Sequence, residues 1–466
     1  MEMPRTPLDN FFYPSSVAVI GASANPQKIG HMILKSIIES NFKGKVYPIN
    51  PKGGEILGLK VYRSVLEIPD DVDLAVIAVP PKIVPQVIED CGKKRIRAAV
   101  IISGGFKETG AEGAELERRT VETAKKYGIR IIGPNCIGVF CPENGINTFF
   151  QVKERMLRPG PGGIAFLTQS GTYGCTLLEW IAESPGIGVS KFVSYGNRCD
   201  VDETELVRYL SKDPKTKVIA LYVEGLSDGR KFMEAAIEAA KYKPIIMLKA
   251  GRTKKGSQAA VSHTGHLSGE YKIYQAMFKQ VGIIEARNME ELYDFVKVFS
   301  MQPLPSGSRV AMVSNGAGPC VFATDMIDSS NMLKIAKLSD ETVKEIREKI
   351  PMAVISTLVD LTGSATTRDY EAALEAIAKD NNVDIIMPFF VFQDTPLGED
   401  IVDVLDRLKR YGKPIIVCAG GGPFTRRMNQ EIEKRGIPTY QTPERAVRAA
   451  EALVTYVMYR EKIKLQ

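Results

Sequence analysis

Short apolar runs alternate with longer amphipathic stretches along most of the chain. Ahead of Cys136, five such runs are each bounded by Gly or Pro: SVAVIGA, KVYPINP, LAVIAVP, AAVIISGG and IRIIGPN. Runs that stay apolar at successive positions are typical of strands buried on both faces, so the pattern predicts parallel strands joined by helices. The rhythm resumes further on, with GIAFLTQSG, SKFVSYGN, VIALYVEG, PIIMLKAG, RVAMVSNGAG, DIIMPFFVF and KPIIVCAGGG.

Two segments rich in Pro and Gly interrupt this rhythm. They are RMLRPGPGG, residues 155–163, and QPLPSGS, residues 302–308. Such segments are typical of linkers. We therefore predict an α/β protein of three doubly wound domains, which occupy residues 1–153, 160–300 and 306–466.

Composition places the chain among ordinary globular proteins. Of its 466 residues, 44% are hydrophobic and 25% charged, and 61 Lys and Arg against 55 Asp and Glu give a net charge of +6. A charge this mild permits polyanionic small molecules but is a weak sign of nucleic acid. The 7 cysteines form no CxxC pair, and five of them, in apolar or small surroundings, are expected to be buried free thiols: Cys91, Cys136, Cys175, Cys320 and Cys418. With no secretory signal and no apolar run of the ~18–20 residues that span a bilayer, we expect a cytoplasmic protein with neither membrane nor nucleic-acid partners.

Glycine-rich turns follow several of the predicted strands: GAS, ISGG, TQSG, SNGAG and CAGGG. Ligands of open α/β sheets bind at the carboxyl ends of the strands, where glycine lets the backbone approach a phosphate and a helix N-terminus offers free N–H groups. One such turn means little, because tight turns between strand and helix need glycine anyway. Their repetition in all three domains predicts phosphorylated ligands.

The first domain does not have the features of an NAD site. Its first turn, residues 21–23, resembles a dinucleotide fingerprint but lacks GxGxxG, and the second strand ends in Asn50, Pro51 and Lys52 instead of a carboxylate. A cation at this position suits a ribose that carries an extra phosphate. NADP and coenzyme A are both candidates, and a solvated turn lysine is the alternative.

The segment from Lys249 to Glu270 is predicted to be a loop of about 20 residues, which is unusual inside a compact domain. It carries His263 and His266, two of the 3 histidines of the chain. Glu224 ends the strand VIALYVEG at the same sheet edge, and a carboxylate that accepts one ring N–H makes the other ring nitrogen more nucleophilic. We hypothesise a phosphohistidine at His263 on a mobile loop. A structural histidine or a general base is the alternative, and the role of His266 stays open.

Five motifs, taken together and in order, resemble the ADP-forming acyl-CoA synthetase superfamily: GPNCIGV, TQSGTYG, YVEG, SHTG and SNGAGP. The resemblance covers essentially the whole chain and is to the α subunit of ADP-forming acetyl-CoA synthetases, relatives of succinyl-CoA synthetases. It implies a Rossmann-like CoA-binding domain followed by two flavodoxin-like ligase domains. It also implies reversible conversion of acyl-CoA, ADP and phosphate into the free acid, ATP and CoA, through an acyl phosphate and a phosphohistidine.

The resemblance also implies the site residues. His263 matches the phosphorylated residue and Glu224 the carboxylate that supports it. The phosphate-binding residues lie at two helix starts and are Ser170, Gly171, Thr172, Gly316, Ala317 and Gly318. The residues for coenzyme A and acetyl-CoA are Gly21, Ala22, Ser23, Asn50, Pro51, Lys52, Val79, Pro80, Ser103, Gly104, Gly105 and Asn135.

Nucleotide binding in this family belongs to an ATP-grasp module. The three domains predicted above already account for the residues of this chain, so none of them is expected to form that module. We therefore expect a separate ATP-grasp β subunit in an α2β2 heterotetramer, with ADP or ATP and Mg²⁺ on that subunit and no metal site here.

Two alternative functions remain, a succinyl-CoA-synthetase-like ligase for a dicarboxylate and a non-catalytic acyl-CoA-binding regulator; an NADP-dependent dehydrogenase is disfavoured. Acetate, branched acids and aryl acids all remain possible substrates, and the candidate pocket walls are Phe149, Phe150, Tyr173 and Trp180.

Overall fold

The computed structural model describes the backbone of residues 6–264 and 269–464, and their side chains except at 260–264 and 464. The chain forms two compact units. One comprises Met1–Glu183 and Gly188–Glu285, and the other Ser184–Ile187 and Ala286–Gln466. The protein is α/β, as predicted.

The first sheet of the first unit has five parallel strands in the order β2-β1-β5-β6-β7. Its strands, with a two-stranded hairpin β3–β4, are β1 (Ser16–Ile20), β2 (Lys45–Ile49), β3 (Gly54–Ile56), β4 (Leu59–Val61), β5 (Leu74–Ile77), β6 (Ala98–Ile101) and β7 (Arg130–Ile132). The helices are α1 (Asp9–Phe12), α2 (Ile29–Glu39), α3 (Val84–Lys93) and α4 (Ala111–Tyr127). The five parallel strands are the five predicted from the apolar runs. All their residues are buried except Lys45 and Val46 at the start of β2 and Arg130 at the start of β7.

The second sheet has seven strands in the order β14-β13-β12-β10-β11-β8-β9. They are β8 (Gly138–Cys141), β9 (Ile146–Asn147), β10 (Pro161–Thr168), β11 (Val189–Ser194), β12 (Val218–Val223), β13 (Ile245–Lys249) and β14 (Ile283–Ala286). The helices are α5 (Gly171–Glu183), α6 (Glu203–Lys212), α7 (Gly229–Ala240), α8 (Lys254–Thr264) and α9 (Tyr271–Val281). Strand β8 runs antiparallel to both β11 and β9, so residues inside the range predicted for the first domain complete the second sheet. The domain limits themselves stay a prediction.

The second unit contains a third sheet, ordered β17-β18-β15-β19-β20-β21 with β16 beside β15. Its strands are β15 (Arg309–Ser314), β16 (Lys334–Ile335), β17 (Val354–Ile355), β18 (Val359–Asp360), β19 (Ile385–Phe389), β20 (Val417–Cys418) and β21 (Thr439–Tyr440). The helices are α10 (Met289–Met301), α11 (Ala317–Ser329), α12 (Asp340–Lys349), α13 (Thr367–Lys379), α14 (Ile401–Leu408), α15 (Pro423–Lys434) and α16 (Pro443–Lys464). Four short 3₁₀ helices lie at Val65–Glu67, Pro81–Ile83, Lys107–Thr109 and Lys409–Tyr411.

The segment from Lys249 to Glu270, which was predicted to be a loop, contains helix α8. The prediction of a loop is therefore wrong for Lys254–Thr264. The Thr253 hydroxyl accepts a hydrogen bond from the backbone N–H of Gly256 at 3.1 Å, which is an N-cap contact. Good helix formers, Lys254, Lys255, Gln258, Ala259 and Ala260, surround Gly256 and Ser257 in the following positions. Gly251, three residues before the helix, has φ of 72°, a conformation that glycine adopts without strain.

No described helix combines the length and the apolar character that crossing a bilayer requires.

Helix α2 packs directly on the turn after β1. A Cβ atom at Gly30 would lie 1.9 Å from the carbonyl oxygen of Gly21, and Gly21 itself has φ of 95°. Only glycine fits at this approach, because the obstacle is backbone that cannot move without displacing the strand end.

We predict that Gly30→Ala destabilises the protein by about 3 kcal/mol, because the added methyl forces α2 away from the first sheet. The urea midpoint followed by circular dichroism measures this effect. Gly229→Ala is the matched control, since no atom lies within 4 Å of its Cβ position at the start of α7. Equal midpoints for the two variants would contradict the close approach.

Candidate active site

The predicted coenzyme A residues all follow carboxyl ends of strands in the first sheet. The turns come after β2 (Asn50, Pro51, Lys52), β1 (Gly21, Ala22, Ser23), β5 (Val79, Pro80), β6 (Ser103, Gly104, Gly105) and β7 (Asn135). Because these strands are neighbours in that order, the turns form one continuous row along a single sheet edge.

Side chains tie neighbouring turns of this row together. The Asn50 amide donates to the Ala22 carbonyl at 2.8 Å, and its oxygen accepts from the Lys52 N–H at 3.0 Å. These bonds set the course of both turns before any ligand arrives. Lys52 is exposed at the end of the row.

Hydrogen bonds also join neighbouring turns further along this sheet edge. The Ser103 hydroxyl donates to the Val79 carbonyl at 2.6 Å, and the Asn135 N–H donates to the Ser103 carbonyl at 2.9 Å. His31, which was assigned no role from the sequence, holds the turn after β1, because its Nδ1 lies 2.8 Å from the Ser23 carbonyl. A carbonyl only accepts, so Nδ1 is the donor in this contact.

The predicted phosphate-binding residues Ser170, Gly171 and Thr172 form the start of helix α5. The Thr168 hydroxyl at the end of β10 accepts from the Ser170 N–H at 3.0 Å and donates to the Ser170 carbonyl at 2.7 Å. The bend that results presents the first turn of α5, whose N–H groups have no partner within the helix. Such a terminus attracts anions.

Gln169 connects this turn to the loop after β12. Its amide donates to the Gly225 carbonyl at 3.0 Å, and its oxygen accepts from the Gly225 N–H at 3.1 Å and from the Glu224 N–H. Glu224 is 6% exposed at the end of β12, as the strand pattern predicts. Gln169, which was not predicted as a site residue, therefore fixes Glu224, the predicted catalytic residue, relative to the predicted phosphate-binding turn.

Two buried cations hold the same loop. The Lys249 ammonium donates to the Glu224 carbonyl at 2.8 Å and to the Ala250 carbonyl. Arg198 donates to the Gly225 carbonyl and pairs with buried Glu203 at 3.2 Å. Burial lowers the pKa of Lys249 to about 8, although the nearby Glu224 charge opposes that shift.

A cavity of about 510 Å³ joins the edges of the two sheets of the first unit. Of the predicted site residues, Asn135, Ser170, Gly171 and Thr172 line it. The lining residues that the sequence analysis missed are Ile29, Ile102, Cys136, Ile137, Gln151, Gln169, Cys175, Gly196 and Asn197. Of the candidate walls, only Phe150 reaches this cavity. Phe149 is fully buried, while Tyr173 and Trp180 are partly exposed elsewhere.

Asn197 links the two sheet edges at the cavity. Its amide nitrogen donates to Glu108 at 2.6 Å and to Glu117 at 2.9 Å, and its oxygen accepts from the Asn135 amide at 3.5 Å. Burial raises the pKa of Glu108, but hydrogen bonds from Asn197 and from the Gly105 N–H outweigh burial and bring it below its usual value. The charged form of Glu108 is thus the one this network requires.

The second unit repeats the α5 turn at the remaining predicted phosphate-binding residues, Gly316, Ala317 and Gly318. The Ser314 hydroxyl accepts from the Gly316 N–H at 2.9 Å and donates to the Gly316 carbonyl at 2.7 Å. The Asn315 amide then pairs with both backbone groups of Val391, accepting at 2.9 Å and donating at 3.0 Å. This bonding matches that of Thr168 and Gln169 in the first unit.

The backbone at His263 belongs to helix α8, but its side chain lies outside the described residues, and so does His266 altogether. The pairing of His263 with Glu224 therefore stays a prediction. Within the described part of the chain, no three His, Cys, Asp or Glu side chains form a group able to hold a metal ion.

Comparisons with known proteins first define a class. Residues 15–142 match the family described as "CoA binding domain", and residues 161–299 match "Succinyl-CoA ligase like flavodoxin domain". A solved structure described as "Ca. Korarchaeum cryptofilum dinucleotide forming Acetyl-coenzyme A synthetase 1 in complex with phosphate and ADP" is 38% identical. It has a TM-score of 0.92 and covers 98% of each chain. These matches define an acid–thiol ligase with a CoA-binding domain.

The curated relatives indicate which family of acid–thiol ligases the chain belongs to. The "Acetate--CoA ligase [ADP-forming] II subunit alpha" of Pyrococcus furiosus is 43% identical over 96% of this chain and 97% of its own length. The "Acetate--CoA ligase [ADP-forming] I" of Archaeoglobus fulgidus is 41% identical over 98% of this chain, which spans 65% of that longer protein. The chain belongs to the family of ADP-forming acetate–CoA ligases, as the motifs predicted, and membership favours that interpretation over its alternatives.

The low pKa of Lys249 makes stability depend on pH. An unfolded lysine titrates near pH 10.4, so between about pH 8 and 10 the unfolded chain binds more protons and stability rises with pH. We predict that the free energy of unfolding of the wild type rises by about 2 kcal/mol more than that of Lys249→Met over this window.

Urea unfolding at pH 7.5 and pH 9.5 measures the difference. Lys241→Met is the control, because it removes a lysine that is exposed. Parallel curves for wild type and Lys249→Met would show that the buried ammonium does not titrate as inferred.

Proposed function

We propose that this chain is the α subunit of an ADP-forming acetate–CoA ligase, in which His263 carries a phosphoryl group between two sites. The reaction converts acyl-CoA, ADP and phosphate reversibly into the free acid, ATP and CoA. The observation that carries the proposal is the cavity, because it joins the coenzyme A edge at Asn135 to the phosphate-binding turn at Ser170–Thr172.

Coenzyme A would lie along the row of turns of the first sheet. The exposed cation of Lys52 suits the 3′-phosphate, and Asn135 would receive the thioester end beside the cavity. The fixed turns fit a long ligand, since Asn50 and Ser103 already hold their backbone in place. CoA supplies the thiol that becomes acylated.

The first chemical step would take place at the start of α5. A phosphate oxygen attacks the thioester carbonyl carbon, a C–O bond forms, the C–S bond breaks, and the thiolate leaves as CoA. The N–H groups of Gly171 and Thr172 and the Ser170 hydroxyl would hold the phosphate oxygens. Each such helix terminus contributes typically about 0.3–1 kcal/mol toward an anion, and charge-assisted hydrogen bonds add to that.

In the second step a ring nitrogen of His263 would attack the phosphorus atom while the P–O bond to the acyl oxygen breaks. The free acid departs and phosphohistidine remains. Glu224 would accept the N–H of the other ring nitrogen and so stabilise the cationic ring. The support for this role is that three buried side chains, Gln169, Arg198 and Lys249, hold the Glu224 loop rigidly.

The turn at Gly316, Ala317 and Gly318 would be a second phosphoryl-binding turn. Its support is the repeated bonding, because Ser314 and Asn315 build this helix start as Thr168 and Gln169 build the first.

The phosphoryl group would finally pass to ADP on a separate ATP-grasp β subunit that also holds Mg²⁺, within an α2β2 heterotetramer in the cytoplasm. The relatives support this division. In Pyrococcus furiosus the matching protein is called subunit alpha, whereas in Archaeoglobus fulgidus this chain corresponds to 65% of one longer polypeptide.

We predict that the chain, mixed with its ATP-grasp partner and γ-³²P-ATP, acquires label that survives base and is lost in acid. His263→Ala should abolish this label, because no other nitrogen replaces the acceptor. His266→Ala is the matched control three residues on and should keep it. Label of wild-type intensity in His263→Ala would refute the assignment.

The two amide side chains that build the turns give a second prediction. Gln169→Leu and Asn315→Leu each leave buried backbone N–H groups unpaired, so the rate of labelling should fall at least about tenfold. Gln393→Leu is the control, since this amide is exposed and donates its hydrogen bond to the Gly420 carbonyl, at 3.3 Å. Wild-type rates in both turn variants would count against the two phosphate-binding turns.

A further inference from the structure

Side-chain contacts bring the starts of helices α8 and α9 together at the carboxyl edge of the second sheet. The Arg252 guanidinium, just before α8, lies 5.3 Å from the ring of Tyr271, the first residue of α9. Both side chains reach Glu285 on β14, since an Arg252 Nη atom lies 3.7 Å from its carboxylate and the Tyr271 hydroxyl donates to it. Arg252 also donates from Nε to the Lys249 carbonyl at 2.8 Å. The two ends of the segment that carries His263 therefore lie side by side.

Three exposed lysines lie on the first turns of these two helices. Lys254 and Lys255 are the first residues of α8, and Lys272 is the second residue of α9. Through its ammonium, none of the three makes an ion pair or a hydrogen bond with another described residue. Neither helix has an acidic residue in its first turn, and one exposed carboxylate, Glu270, directly precedes α9. The surface formed by the three lysines, which we term the lysine surface, is therefore cationic.

The position of these lysines does not stabilise the helices. A helix start carries a partial positive charge, so a cation in the first turn is disfavoured by typically about 0.3–1 kcal/mol, where an acidic residue would be favoured. Arg252 is engaged by Glu285 and Tyr271, whereas the charge of the three lysines faces solvent. Exposed charges of one sign attract an approaching polyanion over about a Debye length, roughly 8–10 Å at ordinary salt.

The lysine surface adjoins the helix that carries the predicted phosphoryl acceptor. His263 lies on α8, nine residues after Lys254. At about 1.5 Å per residue, their backbone positions are roughly 13 Å apart along the helix axis, and the long lysine side chain shortens the gap. The linked phosphates of a nucleotide extend away from the phosphorus atom that His263 would attack. They would therefore enter the range of the lysine charges.

We propose that the lysine surface recognises the polyphosphate of the nucleotide that the ATP-grasp partner holds, and so positions it for phosphoryl exchange with His263. The inference rests on the proposed function, which makes His263 the phosphoryl carrier. In the half-reaction with ATP, a ring nitrogen of His263 attacks the γ-phosphorus atom, the P–O bond to the β-phosphate breaks, and ADP leaves. The lysines are positioning residues in this half-reaction. The half-reaction with acid and CoA does not involve them.

Charge reversal at the start of α8 gives opposite expectations for a structural role and for nucleotide recognition. Lys254→Glu combined with Lys255→Glu favours the helix start but repels the polyphosphate. With the complete complex of this chain and its ATP-grasp partner, we expect kcat/KM for labelling by γ-³²P-ATP to fall at least about tenfold, mainly through KM. Labelling with the wild-type kcat/KM, or a higher one, would overturn the proposal.

Lys334→Glu combined with Lys337→Glu is the matched control. Both lysines are exposed, lie outside the helices of the second unit, and make no ion pair with another described residue. This double variant has the same change in net charge, and its kcat/KM for labelling should stay within about twofold of the wild type. An equal fall in the two double variants would show that net charge, and not the lysine surface, sets the rate.

Ionic strength tests the same interaction in a second way. The kcat/KM of the wild-type complex for ATP should fall as NaCl rises from about 50 to about 300 mM, because salt screens the lysine charges. The triple variant Lys254→Gln, Lys255→Gln and Lys272→Gln should lose at least about half of this dependence, since the screened charges are gone. The same salt dependence in both proteins would contradict the proposal.

The half-reaction with acid and CoA detects structural damage. The chain is first labelled to completion and freed of nucleotide, and acetate and CoA are then added. Lys254→Glu combined with Lys255→Glu should release its label at the wild-type rate. A parallel slowing of both half-reactions would mean that the helix itself is disturbed, and would overturn the proposal.

Labelling of the wild type separates the two levels of the argument. If the wild type acquires no label, the proposed function itself is wrong and the lysine surface has no nucleotide to recognise. If the wild type is labelled and the lysine variants follow it in rate and in salt dependence, the lysine surface is wrong and the phosphoryl carrier stands.

Discussion

The backbone of Glu224 and Gly225 is the point on which the candidate site depends. Loop backbone at the carboxyl edge of a parallel sheet has no strand to pair with, so its N–H and C=O groups need other partners when buried. Here Gln169, Arg198 and Lys249 supply them from the ends of, or just after, β10, β11 and β13. The position of the predicted catalytic carboxylate is thus maintained by side chains that bind the backbone of its loop.

The strands that position this site follow from the sequence because their burial is nearly complete. A strand covered on both faces must be apolar at every position, and SVAVI or VIALYV leaves little other choice. The ends of such strands can therefore be located in the sequence to within a residue. The same pattern locates the turn residues that follow them, such as Asn50 and Glu224. The strong motifs lie at these ends, which explains why family membership could also be predicted.

The parts that the sequence did not reveal depend on contacts between distant segments. Strands β8 and β9 are short and join the second sheet only because β11 leaves an edge open. Asn197 has a role only once Glu108 and Asn135 lie next to it, and Phe150 reaches the cavity while its neighbour Phe149 is buried. Helix α8 was not predicted for a different reason. The glycines and polar residues of the segment from Lys249 to Glu270 are typical of a loop, although Thr253 caps a regular helix start within it.

The amides of Gln169 and Asn315 recognise Gly225 and Val391 through main-chain atoms alone. The side chain at the residue whose backbone is bound can therefore differ while the bend keeps its shape. It is a glycine, Gly225, at the first turn and a valine, Val391, at the second. This makes the strand, bend and helix start a transferable module. A designer could graft it onto another parallel sheet by installing a hydroxyl residue and an amide residue in succession, provided that an adjacent strand ends at the same height.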